Sequence, residues 1–397
     1  MKLYRTLVEA VVNTLNGIFN EGHQADRAVE RVLKSNKKWG SRDRSFIAEN
    51  TYEIVRWYRL LLEASQQSTP NFWHLFGIWW LKKGFELPPW EEFLDLTQEN
   101  IFSFFERTDL PLRTLASIPD WLDERGSKEL GEVWASEINA LNQPAQLIIR
   151  VNRIKTSPEK LQKILIEKGI VTEKIEGFTD ALLVKKRSNL LSLECYEKGL
   201  FEVQDAGSQV IAPFLEVLPE MTVIDACAGA GGKTLHLAAL MYNKGKLIAM
   251  DVEQKKLQTL AQRANRNGVK ILSARLLANP ENVQSLHQSA DCLLLDVPCS
   301  GLGVLKRNPD AKWKMTEEFV EEIILTQAMI LKNYSEMVKI GGKMVYATCS
   351  IFKSENEWQV EKFLVGNKNW ILEAEQRMSP AIDGFDGFYM ARMRKIS

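Results

Sequence analysis

Apolar residues at 3, 4, 7, 8, 11, 12, 15, 18 and 19 of the opening stretch MKLYRTLVEAVVNTLNGIF recur every three or four positions, which predicts an amphipathic helix. DRAVERVLKSN (26–36) and RDRSFIAENTYEIVRWYRLLLEA (42–64) carry the same period, so residues 1–135 read as an all-α domain. Eight of the eleven tryptophans lie there, some in the run FWHLFGIWWL (72–81), and they have two readings: core packing, or stacking on nucleic-acid bases. A helical bundle seldom offers a stacking platform, so core packing is preferred. Between the second and third periodic stretches, RVLKSNKKWGSRDR (31–44) is a basic turn that suits either solvent or phosphate.

Residues 136–205 change character. AQLIIRVNRIKT reads as a strand and SPEKLQKILIEKG as a helix capped by Ser157 and ended by Gly169. ALLVKKR and GLFEVQ read as further short strands, giving a small α+β module, ferredoxin- or RRM-like, whose Arg150, Lys155 and Lys185–Arg187 run can face RNA. From 206 to 397 strands and helices alternate: MTVIDACAGAGG then KTLHLAALMY, GKLIAMD then EQKKLQTLAQRANRNG, DCLLLDVP then TEEFVEEIILTQAMILKNYSEMV, and finally GGKMVYATCS. That alternation predicts an α/β domain with a doubly wound parallel sheet, which binds ligands beyond the carboxyl ends of its strands.

Composition narrows the class. Lys plus Arg and Asp plus Glu are 51 each, so any nucleic-acid contact must come from local patches. No run approaches the roughly 18 apolar residues of a membrane span, and the N-terminus does not read as a signal peptide. Five cysteines do not make a disulfide framework, so a cytoplasmic protein with reduced thiols is expected; the expected oligomeric state is a monomer. The four histidines lie far apart, and no structural metal is expected.

DACAGAGGKT (225–234) follows a strand and opens a helix, as a nucleotide-binding loop does. A phosphate-binding P-loop would need glycine where Cys227 stands, so an NTPase is disfavoured. The remaining reading needs an acid to hold ribose hydroxyls, and Asp251 closes the next strand. Loop and acid suit NAD and S-adenosylmethionine equally.

The chemistry downstream separates the two. Asp296 and Cys299 follow one strand end and Cys349 another, so two thiols and an acid share one rim of the sheet. A single buried cysteine is usually packing, but two at such ends suggest chemistry. Carbon 5 of a pyrimidine is a poor nucleophile until a thiolate adds at carbon 6; it can then take a methyl group, and a carboxyl group at the ring edge eases the addition. A second thiol suits breaking the adduct.

FEVQDAGSQ, DACAGAGGKT, LIAMD, DVPCSGLGVLKRNPDAKW, YATCSIFKSENE and DGFYMARM occur in this order, and from about residue 145 to 397 the chain resembles RNA cytosine-5 methyltransferases of the Nop/Sun (RsmB) family. The resemblance implies a Rossmann-like class I methyltransferase domain using S-adenosylmethionine. It implies that Cys349 is the nucleophile, Cys299 the product-release thiol, and Asp296 the acid touching ring and cofactor. Cys227, Ala228, Gly229, Ala230, Gly231, Gly232 and Lys233 would form the cofactor loop, with Lys233 reaching the reaction centre and Asp251 holding the ribose. Arg150, Asn152, Arg307 and Lys312 would face RNA. The N-terminal helices look like the NusB-type RNA-binding domain of the ribosomal RNA subgroup, which favours ribosomal over transfer RNA.

Two departures from the family stand out. Ala230 replaces the usual proline of the loop, and Leu277 and Ala278 stand where an adenine-contacting Asp is expected. Asn279, Glu281 or apolar packing would take that Asp's place. A catalytically impaired RNA-binding assembly factor is the alternative, and the retained thiols, Asp296 and Lys233 oppose it.

Overall fold

The periodic stretches near the N-terminus form the helices Arg5–Phe19, Ala25–Ser35, Ser41–Arg56, Tyr58–Ser65 and Phe72–Lys82. Trp57 breaks the expected 42–64 helix in two. In this computed structural model, residues 2–186, 188–278 and 281–397 are described. The chain divides into two compact units: Met1–Gln143 with Leu305–Glu317, and Pro144–Val304 with Glu318–Ser397.

In the first unit the tryptophan run is core. Trp80 is 2% exposed and lies against Phe46, Phe76 and Phe85, with ring centroids 4.5–5.9 Å away. Its ring faces other rings and is closed to bases. The segment 305–317, expected in the methyltransferase domain, packs in this helical unit instead. Asp310 Oδ2 accepts the Ala25 N–H at 2.9 Å, satisfying an orphan donor at a helix start. Trp313 Nε1 donates to Val55 O at 2.7 Å, and its ring meets Tyr58 edge-on.

Lys312 corrects the expectation that it faces RNA. It is 1% exposed, and its Nζ donates to Arg56 O at 2.8 Å, Asn142 Oδ1 at 3.0 Å and Ala116 O at 3.4 Å. Burial first, and the Arg56 guanidinium second, push its pKa well below the ordinary lysine value. It is a three-way tie between helix ends, and nothing about it is available to phosphate.

The second unit holds two sheets. The smaller has the order β2-β3-β1-β4, all antiparallel, from β1 (Ile148–Val151), β2 (Thr172–Lys174), β3 (Ala181–Val184) and β4 (Phe201–Val203). Ser157 caps the helix Pro158–Glu167 as expected, while the polar strand β2 has no apolar signal to betray it. Asn152, a second residue expected to face RNA, is buried here. Its Nδ2 donates to Gly199 O and Asn267 O at 2.8 and 2.9 Å, joining the small sheet to the helix Gln254–Asn267. Gly199 has φ +66° and approaches that helix so closely that a Cβ would lie 2.2 Å from Arg266 O.

The larger sheet comprises β5 (Thr222–Asp225), β6 (Lys246–Asp251), β7 (Leu272–Leu276), β8 (Ala290–Asp296), β9 (Val338–Thr348), β10 (Trp370–Met378) and β11 (Phe388–Lys395). Their order is β10-β11-β9-β8-β5-β6-β7. β5 through β9 pair in parallel and switch direction of progression between β5 and β8, while β11 and β10 add antiparallel to the β9 edge. This is the doubly wound parallel sheet expected, extended at one edge by an antiparallel hairpin.

Replacing Lys312 with Ala would take its donor away from the buried Arg56 O and Asn142 Oδ1, while Ala116 O keeps the Asn142 Nδ2 bond at 2.7 Å. We expect a loss of about 2–4 kcal/mol of stability, read from the urea midpoint.

Candidate active site

β5 ends at Asp225, and the chain turns through Cys227–Gly231 into the helix Gly232–Leu240. Gly231 adopts φ +91°, and a Cβ there would lie 2.7 Å from Leu260 Cγ, so only glycine fits. A Cβ on Gly229 would meet nothing within 4 Å, which leaves that side of the loop open for a ligand. Gly229 N–H donates to Asp251 Oδ2 at 2.8 Å, bringing the acid at the end of β6 against the loop. Open glycine backbone beside an acid suits a nucleoside cofactor with ribose hydroxyls. Beneath the loop, Thr234 Oγ1 donates to the buried Asp225 Oδ2 at 2.6 Å. Burial raises the Asp225 carboxyl to about 7.

Arg150 does not face RNA. It is 2% exposed, and its Nη1 donates to Gly232 O at 3.1 Å, at the start of the loop's helix. Burial draws its pKa down to about 10, against the pull of Glu202. Arg263 Nη1 donates to Ala230 O at 2.6 Å and Nη2 to Glu202 Oε2 at 2.9 Å. Arg266 and Asn267 bind the other oxygen of Glu202. Strands β1 and β4 thus brace the cofactor loop, and the Arg263 bond restrains the position where the family's proline is missing.

The two thiols meet. β8 and β9 pair with Asp296 opposite Ala347, so the turns that follow lie side by side. Cys299 Sγ lies 3.2 Å from Cys349 Sγ, and Cys349 N–H donates to Cys299 Sγ at 3.3 Å. Cys349 O accepts from Gly303 N at 2.9 Å, and a Cβ on Gly303 would sit 2.8 Å from that oxygen. The Cys349 contact, burial and Glu355 together hold the Cys299 pKa well above that of an ordinary thiol, and either sulfur can be the donor in the contact between them. Lys233 Nζ is 2.6 Å from Asp296 Oδ2. Burial acts to lower its pKa, but Asp296, with Cys349 and Asp225 adding, outweighs this and keeps the ammonium charged.

The other three cysteines also have raised thiol pKa values. Burial raises Cys195, pushes Cys292 up to about 11, and raises Cys227 well above the ordinary thiol, with Asp225 adding to the last.

Sequence reasoning passed over Glu355. It is 0% exposed, and its carboxylate accepts Ser300 N–H at 2.8 Å, Ser300 Oγ–H at 2.5 Å, the Ser350 hydroxyl, and Gln327 Nε2 at 3.0 Å. Its only sequence signal was its place in the motif YATCSIFKSENE. At the end of β7, Leu277 N–H bonds to Asp251 O at 2.9 Å, and a cavity of about 570 Å³ opens between Leu277, Val283, Met329 and Tyr334. Glu281 is exposed, and Asn279 lies outside the described residues. Arg307 is half-buried in the first unit.

A family model for the 16S rRNA methyltransferase RsmB/F matches residues 212–394, and one for the ferredoxin-like domain of RsmF/B-like methyltransferases matches 118–190. A probable ribosomal RNA small subunit methyltransferase B of Synechocystis sp. is 35% identical over 300 residues, 70% of this chain and 67% of that protein. One from Bacillus subtilis is 30% identical over 313 residues, 73% of this chain and 70% of its own length. A solved methyltransferase homolog protein from Pyrococcus horikoshii is 25% identical with TM-score 0.64, covering 72% of this chain and 97% of that one. With the glycine loop, its acid and the paired thiols on one sheet rim, these matches show that the chain belongs to the RsmB/F family of S-adenosylmethionine-dependent methyltransferases.

Proposed function

We propose that the protein methylates carbon 5 of a cytosine in ribosomal RNA through a covalent adduct on Cys349. The observation that carries the reading is the pair of sulfurs 3.2 Å apart beside the Lys233–Asp296 pair. The Cys227–Lys233 loop would hold S-adenosylmethionine, with Asp251 for its ribose, and the bound cofactor would supply a methyl group from its sulfonium, which leaves as a neutral thioether. Cys349 Sγ adds to carbon 6 of the ring, and the electron pair displaced toward carbon 5 makes that atom the acceptor of the methyl group. Asp296, held by Lys233, stands at the ring edge to steady nitrogen 3 during the addition. The carbon 5 proton then leaves to water, and the carbon 6–sulfur bond breaks with its electrons returning to Cys349. The Cys299 S–H donates a hydrogen bond to the departing thiolate.

The names of the curated relatives support ribosomal RNA as the substrate. The helical unit is the candidate RNA-selecting domain, with Lys37, Lys38 and Arg42 exposed on its turn and Arg307 a further candidate contact. A base reached by such chemistry must be unstacked, which favours a loop of folded RNA. The apolar wall from Leu277 to Tyr334 would take the adenine in place of the absent Asp.

The test of the chemistry is a denaturing gel of Cys299→Ala and Cys349→Ala, each incubated with ribosomal RNA and S-adenosylmethionine. Cys299→Ala is expected to carry RNA covalently. Cys349→Ala should carry none and lose more than about a thousandfold in activity; the reverse pattern would exchange the two roles. For the loop, Arg263→Ala should raise the Kd for S-adenosylmethionine about tenfold by calorimetry, as expected for losing a charge-assisted bond. Neutralising Lys37, Lys38 and Arg42 together should weaken RNA binding and flatten its salt dependence by about one slope unit per lost phosphate contact. An unchanged slope would assign that turn to solvent.

A further inference from the structure

Among the described residues, four hydrogen bonds reach the Glu355 carboxylate, and none of the four donors is a cation. A buried carboxylate without a cation is a costly device for packing alone, since neutral residues of similar size would fill the space. Its partners suggest another use. Ser300 immediately follows Cys299 and Ser350 immediately follows Cys349, and Glu355 Oε1 receives both hydroxyls. The two serine oxygens are themselves 3.1 Å apart. The fourth donor, Gln327, also donates to Pro298 O at 3.0 Å, just before Cys299. On its own backbone side, Glu355 O accepts the Tyr346 hydroxyl at 2.6 Å, fixing it to β9. One carboxylate therefore ties both cysteine turns to each other and to the strand that carries Cys349.

We propose that Glu355 is a positioning residue for product release, holding Cys299 Sγ within hydrogen-bond reach of Cys349 Sγ. The proposal rests on the covalent reading above. Glu355 touches no substrate or cofactor; it acts through the two serines. Without its charge, at least one of the three donors from the cysteine turns loses its acceptor, and the turn it belongs to is free to drift. A drift of about 1 Å takes Cys299 out of reach of the thiolate while leaving Cys349 able to add.

The test compares Glu355→Gln with Cys299→Ala and Cys349→Ala in the full-length protein, reading turnover, covalent RNA and affinity for S-adenosylmethionine. Glu355→Gln should lose about tenfold or more in kcat, keep its cofactor Kd within about twofold, and accumulate the covalent RNA species as Cys299→Ala does. A folded Glu355→Gln that turns over like the unsubstituted protein and accumulates no adduct overturns the proposal. A second arm needs no RNA. Diamide closes two adjacent thiols to a disulfide, each thiol losing one hydrogen as the azo group is reduced to the hydrazine. Closure between 299 and 349, followed by peptide mass, should be slowed about tenfold or more by Glu355→Gln; equal rates overturn the proposal. If Cys349→Ala stays active and no variant traps RNA, the covalent reading fails, and this arm alone decides the positioning. Should Glu355→Gln not fold, Ser350→Ala, which removes one of the four contacts, is expected to shift both readouts in the same direction, and no shift overturns the proposal.

Discussion

Parallel pairing of β8 with β9 sets Asp296 opposite Ala347, and the chemistry of the site follows from that register. Both strands pack into a core on each face, so slipping either by one residue would exchange the side chains of the two cores and separate the sulfurs. From this pairing come the 3.2 Å contact between Cys299 and Cys349 and the shared Glu355 anchor of their serines. The neighbouring pairing of β8 with β5 brings the glycine loop alongside, and with it Lys233 to Asp296. The sulfurs and the carboxylate–ammonium pair thus stand at one rim because three consecutive strands of the sheet end there.

Buried and half-buried cations hold the surroundings in place through bonds to backbone carbonyl oxygens. Arg150 donates to the carbonyl of the first residue of the loop's helix, Arg263 to a carbonyl in the glycine turn, and Lys312 to a carbonyl at a helix C-terminus. Such an oxygen buried unpaired costs about 1–3 kcal/mol, and a cation answers it more strongly than a neutral donor. In the loop this matters most at Ala230, where a guanidinium takes up the restraint a proline ring would have provided. The small sheet thereby becomes part of the cofactor site, because β1 carries Arg150 and β4 carries Glu202.

What could be read from the residues was what has a local signature. Helical period placed the N-terminal helices, Ser157 marked a cap, and the thiols stood out because each follows an apolar strand. Arg150, Asn152 and Lys312 were misread because a charge or amide in a linear sequence looks like surface, whereas their partners lie from 47 to 256 residues away. Glu355 escaped notice because its work is done on serines that were themselves read only as motif spacing. Strand β2 is polar throughout and pairs at an edge, so period-two alternation had nothing to register.

The central claim is that the methyl group goes to carbon 5 of cytosine after a sulfur adds to carbon 6. It is tested most directly with ribosomal RNA carrying tritium at carbon 5 of its cytosines, incubated with the unsubstituted protein and S-adenosylmethionine bearing a carbon-14 methyl group. The account predicts one tritium released to water for each methyl group transferred, with both events lost in Cys349→Ala. Methyl transfer with tritium fully retained would contradict it, since the methyl group would then have gone to another atom.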